Sequence, residues 1–245
     1  MSSATCRLAT IALAAAACSV AAFPASAGVV VAASGPSAAQ FPVGKKIGDS
    51  ERIVLRAGDT ITVLDGKGTR VLRGAGTYSL DQQAGASQRN TFAALTERRS
   101  AQRVRTGAVR GDEESGPAQP PNLWYVDVDR PGKMCLADAG RIRLWRKAGE
   151  GDVTYVVSAA ESGGTQTVKF AEGERLAAWN TRTLPVTEGP LYRIGDADGV
   201  VVSEMSFVVL ESVAEEPEAL AQQLIENGCE KQLELLSTAT MIAQG

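Results

Sequence analysis

Between Glu51 and Leu80 the chain places Gly58, Gly66 and Gly74 at a constant spacing of eight residues, and that rhythm leaves room for little except short strands joined by tight turns. The intervening runs are β-formers: Ile53, Val54 and Leu55, then Ile61, Val63 and Leu64, then Val71 and Leu72. Each closes on residues that accept the positive φ of a turn: Ala57-Gly58-Asp59, Asp65-Gly66-Lys67-Gly68 and Gly74-Ala75-Gly76. In Thr60 to Leu64 the apolar Ile61 and Val63 alternate with Thr60 and Thr62, the period of a strand with one buried face. The pattern predicts a β-meander.

Ahead of it, residues 1–27 read as a signal peptide. Arg7 is the only charge, Leu8 to Ala22 is an apolar run, Pro24 breaks it, and Ala25-Ser26-Ala27 is a small-x-small cleavage site. The run is shorter than the roughly 20 residues a bilayer span needs, so no transmembrane segment is expected there or later. Cys18 after Ala15-Ala16-Ala17 leaves lipidation as an alternative fate for the leader. Loss of the leader moves the formal net charge of −3 one unit further negative, which argues against nucleic acid as a partner. It also removes Cys6 and Cys18. The remaining pair, Cys135 and Cys229, reads as a disulfide in an exported, periplasmic or secreted chain.

The mature chain is expected to be mainly β. Residues 28–85 form the first β domain, opened by the apolar strand Gly28 to Ser34. Residues 86–122 hold a helix from about Gln88 to Arg105, with Ser87 as cap and Phe92 and Leu95 as its apolar stripe, followed by a flexible linker rich in proline. Residues 123–212 carry about seven short alternating runs broken by turns such as Arg130-Pro131-Gly132, Ser162-Gly163-Gly164 and Asp198-Gly199, the signature of a small β-sandwich. In residues 213–245 Pro217 opens one helix, Asn227-Gly228 ends it, and a second starts near Glu230, giving a helical hairpin packed on the sandwich.

Several chemistries are disfavoured by what the chain contains. It has no histidine, and no Gly-x-Ser-x-Gly, P-loop or strand-linked Gly-x-Gly-x-x-Gly, so no enzyme, cofactor or metal site is expected. Gly195-Asp196-Ala197-Asp198-Gly199 lacks the terminal glutamate of a calcium loop and reads as a hairpin turn. Asp127 and Asp129 are a carboxylate pair with no assignable counterpart. The arginines between Arg98 and Arg110 are followed at once by Asp112, Glu113 and Glu114, a mixture that reads as solvation or as a basic patch for an anionic surface. Trp124, Tyr125, Trp145 and Trp179 are candidate ligand-binding aromatics as well as candidate core anchors.

Leu55-Arg56-Ala57-Gly58-Asp59, Val63-Leu64-Asp65, Gly68-x-Arg70 and Gly74-x-Gly76-x-Tyr78 together resemble the FecR-type periplasmic domain of ferric-citrate sensing, over about fifty residues from Gly28 to Leu80. The resemblance implies a β-rich periplasmic domain used for protein contacts, without catalytic residues. Sensors of that family also carry a membrane-spanning segment and a cytoplasmic anti-sigma region, which this sequence does not display. The functional expectation is an exported, non-enzymatic interaction or accessory sensing protein with an envelope protein as partner. The alternative is a protein that binds carbohydrate or a cell-envelope polymer through its aromatic residues.

Overall fold

The computed structural model describes residues 26–48, 50–80, 87–97, 119–147 and 150–241. Most of the stretch read as a signal peptide, with Cys6 and Cys18, lies outside these residues, as do the arginines from Arg98 to Arg110 and most of the proline-rich stretch; Ser26 and Ala27, at the expected cleavage site, open the first strand.

The N-terminal module has six strands: β1 (Ser26–Ser34), β2 (Lys46–Gly48), β3 (Ile53–Leu55), β4 (Thr60–Asp65), β5 (Gly68–Arg73) and β6 (Gly76–Tyr78). The glycine turns fall where the spacing places them. Gly58 and Gly74 have positive φ (86° and 77°), and in the middle turn Gly68 rather than Gly66 takes the left-handed side. The pairing, however, is not a sequential meander. Between Glu51 and Leu80 only β4 and β5 are consecutive partners, in a four-stranded sheet ordered β2-β1-β4-β5, while β3 skips its neighbour to pair with β6. Asp59 explains the crossing. Its carboxylate accepts the backbone N–H groups of Ser37 (2.8 Å) and Arg56 (2.6 Å), and its carbonyl accepts that of Gly74 (2.9 Å), so one residue joins the loop after β1 to the turns that flank β4 and β5.

β1 is apolar without alternation because both of its faces are covered. Val30 packs into the module's own core with Ile47, Ile53, Ile61 and Val63. Val29 and Val31 face the opposite way, into a second core shared with the helices and the C-terminal module.

A helix, α1 (Ser87–Thr96), leads to the C-terminal module, whose strands are β7 (Tyr125–Asp127), β8 (Gly132–Leu136), β9 (Arg143–Trp145), β10 (Val153–Ala159), β11 (Thr165–Phe170), β12 (Leu176–Ala178), β13 (Leu191–Gly195) and β14 (Val201–Val209). They form a five-stranded sheet, β11-β10-β13-β14-β8, and a three-stranded sheet, β12-β9-β7, with Val126, Leu144, Phe170, Tyr192, Ile194 and Phe207 between them. This is the expected sandwich, with two parallel pairings, β8 with β14 and β7 with β9.

The chain ends in α2 (Pro217–Glu226) and α3 (Glu230–Ala239), separated at Gly228 (φ 70°). The hairpin does more than pack on the sandwich. Leu220, Leu224, Leu233 and Leu236 share one core with Val29, Val31 and Leu64 of the first module, Phe92 and Leu95 of α1, and Cys135 and Leu210 of the sandwich. The Cys135–Cys229 disulfide is formed, with the Cα atoms 5.8 Å apart. Beside it Gln232 completes the edge of β8: its Oε1 accepts the Cys135 N–H (2.7 Å), and its Nε2 donates to the carbonyls of Cys135 and Leu123 (2.9 Å each). A side-chain amide thus stands where another strand would have paired.

α1 is shorter than the sequence predicts, stopping at Thr96 instead of Arg105. Its closing carbonyls are taken by residues far along the chain: Leu95 by the N–H of Leu123 (2.9 Å), Thr96 by Trp124 Nε1 (3.0 Å) and Glu97 by Asn122 Nδ2 (2.9 Å). The described residues on either side of the stretch read as a linker therefore meet at one place.

Candidate functional site

That junction is one wall of a cleft of about 450 Å³, within the size range of small-molecule sites. Its floor is set by strand register. Tyr125 of β7, Arg143 of β9 and Ala178 of β12 stand directly opposite one another across the three-stranded sheet, and all three line the cleft. The next row, Val126, Leu144 and Ala177, points to the other face and is part of the sandwich core. The sequence alternates accordingly: in Arg141-Ile142-Arg143-Leu144 the apolar residues are buried and the arginines are not.

Glu97, Asn122 and Trp124 form one wall, and Trp179 closes another. The third is the turn after β8. There Asp138 accepts the N–H of Gly140 through Oδ1 (2.8 Å) and pairs through Oδ2 with Arg141 Nε (3.1 Å). Arg143 is half-buried and differs from its neighbour, because among the described residues its guanidinium has no ion-pair or hydrogen-bond partner. The set offers one uncommitted cation and a phenol among indole edges, while the Asn122 amide is engaged, its Nδ2 donating to the Glu97 carbonyl and its Oδ1 accepting the Trp124 N–H (3.0 Å). It is suited to holding a polar ligand and contains no nucleophile–base pair.

Three of the four aromatic residues singled out from the sequence meet here. Tyr125 is half-exposed, while Trp124 (8% exposed) and Trp179 (3%) present edges. Both indoles also hold the frame: Trp124 Nε1 caps α1, and Trp179 Nε1 donates to the Leu184 carbonyl (2.8 Å) as its ring packs edge-on against Tyr192 and Phe207. Trp145 lies elsewhere, buried on β9. Arg143, Asn122 and Arg141 were not singled out from the sequence. The outward period of Arg141 and Arg143 was visible, but their meeting with Tyr125 depends on the parallel β7–β9 register.

No family model, curated protein or solved structure matches the chain. The remaining candidates therefore stand on geometry alone. Asp127 and Asp129 do not form a facing pair: Asp127 Oδ1 accepts the Asp129 N–H (3.1 Å) in a turn, and Asp127 Oδ2 lies 3.6 Å from Arg130 Nε. Burial raises the Asp127 carboxyl above its ordinary value, and the nearby Asp129 charge adds to that. Asp196 is a hairpin residue whose Oδ1 accepts the N–H groups of Asp198 (3.0 Å) and Val200 (2.8 Å). Among the described residues no three acidic or cysteine side chains gather in a way that would hold a metal ion, and no helix is long and apolar enough to cross a membrane.

A second groove, about 540 Å³, follows α2 and is lined by Glu216, Glu218, Glu226 and Lys46. Glu218 Oε2 is buried there without a hydrogen-bond partner. Burial raises the Glu218 carboxyl above its ordinary range, and the charges of Glu216 and Asp65 push in the same direction.

Proposed function

We propose that this chain is an exported, non-enzymatic binding protein of the cell envelope that takes a polar polymer unit, a saccharide in the first instance, into the cleft between α1 and the three-stranded sheet. The observation that carries the reading is the convergence of Tyr125, Trp124 and Trp179 with Arg143 and Asn122 on one cleft. Rings combined with a few placed polar groups are how sugar-sized ligands are held. Export is supported by the leader-like N-terminus and by the Cys135–Cys229 disulfide, a bond that persists in oxidising compartments. The FecR-type resemblance of the first module favours the periplasm.

The test is a panel of envelope polysaccharides and their oligomers titrated into the mature protein, followed by tryptophan fluorescence and calorimetry. Trp124 and Trp179 at the cleft should report binding, and Tyr125→Ala should weaken it. Absence of any response at millimolar saccharide overturns the reading.

A second reading, docking to an envelope protein as an accessory sensing component, has one observation in its favour. Val200, Val201 and Val202 at the tip of the β13–β14 hairpin are 61%, 51% and 39% exposed. Both faces of that tip stand clear of the body, as on a surface that another protein covers. Crosslinking in an envelope extract, lost on Val200→Ser with Val201→Ser, would favour it over the first.

A further inference from the structure

We infer that Arg143 is a carboxylate receptor and that the ligand of the cleft is an acidic saccharide, a uronic acid or an oligomer of one. The inference rests on the saccharide reading above and adds to it the chemical class of the ligand.

The argument starts from the cost of leaving a cation half-buried. Every other arginine with comparable or deeper burial among the described residues has its guanidinium engaged. Arg146 donates to the carbonyls of Glu174 (2.8 Å), Gly151 (2.9 Å) and Ala171 (3.1 Å), and Arg70 faces Asp65 at 3.1 Å. Arg143 is engaged by nothing, although it sits at the centre of a cross-strand row with its backbone fixed on both sides by β7 and β12. A guanidinium is a planar fork of donors whose natural complement is the two oxygens of a carboxylate.

The neighbours then narrow the anion. Arg141 is already neutralised by Asp138, and Glu97 also lines the cleft. A ligand of high charge density, such as a polyphosphate, would find one free cation and the Glu97 carboxylate beside it. One carboxylate on an otherwise neutral ring meets Arg143 alone and leaves its hydroxyls to the Tyr125 phenol. Tyr125, next to Arg143 in the row, supplies the ring surface against which the pyranose lies.

The experiment uses the full mature protein and three probes: trigalacturonic acid, the neutral galactotriose, and inorganic phosphate, each titrated by calorimetry and tryptophan fluorescence. Arg143→Met is the test variant. Arg52→Gln, an exposed arginine of the other module, matches its charge change, and circular dichroism with thermal melting verifies that both variants fold. The expected result is binding of the acidic trimer at least tenfold tighter than the neutral one, with that preference lost in Arg143→Met and kept in Arg52→Gln. Equal binding of both trimers, or an acid preference that survives Arg143→Met, overturns the proposal while leaving the saccharide reading intact. Binding of phosphate with no binding of either trimer overturns it as well, since Arg143 would then serve a bare anion. Silence from all three probes overturns the proposal, and the polysaccharide panel then decides the saccharide reading by itself.

Discussion

The same substitution, glutamine to leucine, should move stability in opposite directions at the two buried glutamines, Gln166 and Gln232. They are similarly inaccessible, 8% and 5% exposed. Gln232 makes three hydrogen bonds, to the N–H and C=O of Cys135 and to the C=O of Leu123. Leucine there strands three backbone groups. At a net loss of about 1 kcal/mol for each, the variant should be less stable by about 3 kcal/mol, a large part of a domain's total of about 5–15 kcal/mol. Gln166 lies on the core face of β11, in line with Val168 and Phe170, and neither its Nε2 nor its Oε1 has a partner. Leucine removes an unsatisfied amide from the core and should stabilise by about 1–3 kcal/mol. Equilibrium urea unfolding of the oxidised protein, read by circular dichroism, gives both values from the shift in midpoint at constant slope. Two shifts of the same sign, or a Gln232→Leu variant within about 0.5 kcal/mol of the parent, would refute the reasoning that satisfied amides rather than burial decide these sites.

Trypsin should cut at Arg105 or Arg110, yet the two products should co-elute on gel filtration, since the chain ends at Glu97 and Asn122 are hydrogen-bonded and both sides contribute to one core; separation without denaturant would contradict this. Gly35→Ala should be destabilising by about 3 kcal/mol or more in thermal or urea unfolding, because Gly35 has φ 99° and a Cβ there would sit 2.5 Å from the Gly58 carbonyl oxygen. Glu218→Gln should stabilise at pH 7. The folded protein holds the Glu218 proton to higher pH than the unfolded chain does, so wild-type stability falls as pH rises from the ordinary carboxylate value through the raised one. The advantage of the variant should vanish on acidification below the ordinary carboxylate pKa, and an advantage independent of pH would refute the cause. Reduction of Cys135–Cys229, 94 residues apart, should lower stability by up to about 4.7 kcal/mol in the chain-entropy account, measured as the midpoint shift with and without reductant.

What was legible in the sequence was local. The strands of the sandwich announced themselves by alternation, as in Thr165 to Phe170, where burial follows period two without exception. The hairpin turn at Asp196 and the helix stop at Asn227-Gly228 were equally plain, because glycine geometry and short polar side chains act over a few residues. What was not legible was long-range pairing. Nothing in Ile53 to Leu55 distinguishes β6 from β4 as its partner. The choice is made by Asp59, which gathers the N–H groups of Ser37 and Arg56 and brings Gly74 to its own carbonyl. The candidate site failed to show for the same reason. Tyr125 and Arg143 are eighteen positions apart and become neighbours only through a parallel register that neither local pattern encodes.

The helix end at Thr96 links these two scales. A sequence reading extends α1 to Arg105 because arginines suit a helix C-terminus and nothing nearby stops it. The stop comes from Asn122, Leu123 and Trp124, which satisfy three successive carbonyls that a longer helix would have kept for itself. Those three residues are also the first of the sandwich, so the event that ends α1 fixes the start of β7, and with it Tyr125 at the floor of the cleft. Gln232 extends the coupling to the other side of the core, since the Nε2 that donates to Cys135 also donates to Leu123. The cleft is thus positioned by a polar chain from α1 through residues 122–124 to α3, closed by the Cys135–Cys229 bond. In such a chain a change at Gln232, which does not line the cleft, reaches Tyr125 through two intervening residues. The helical core and the cleft therefore share the same hydrogen bonds at residues 122–124.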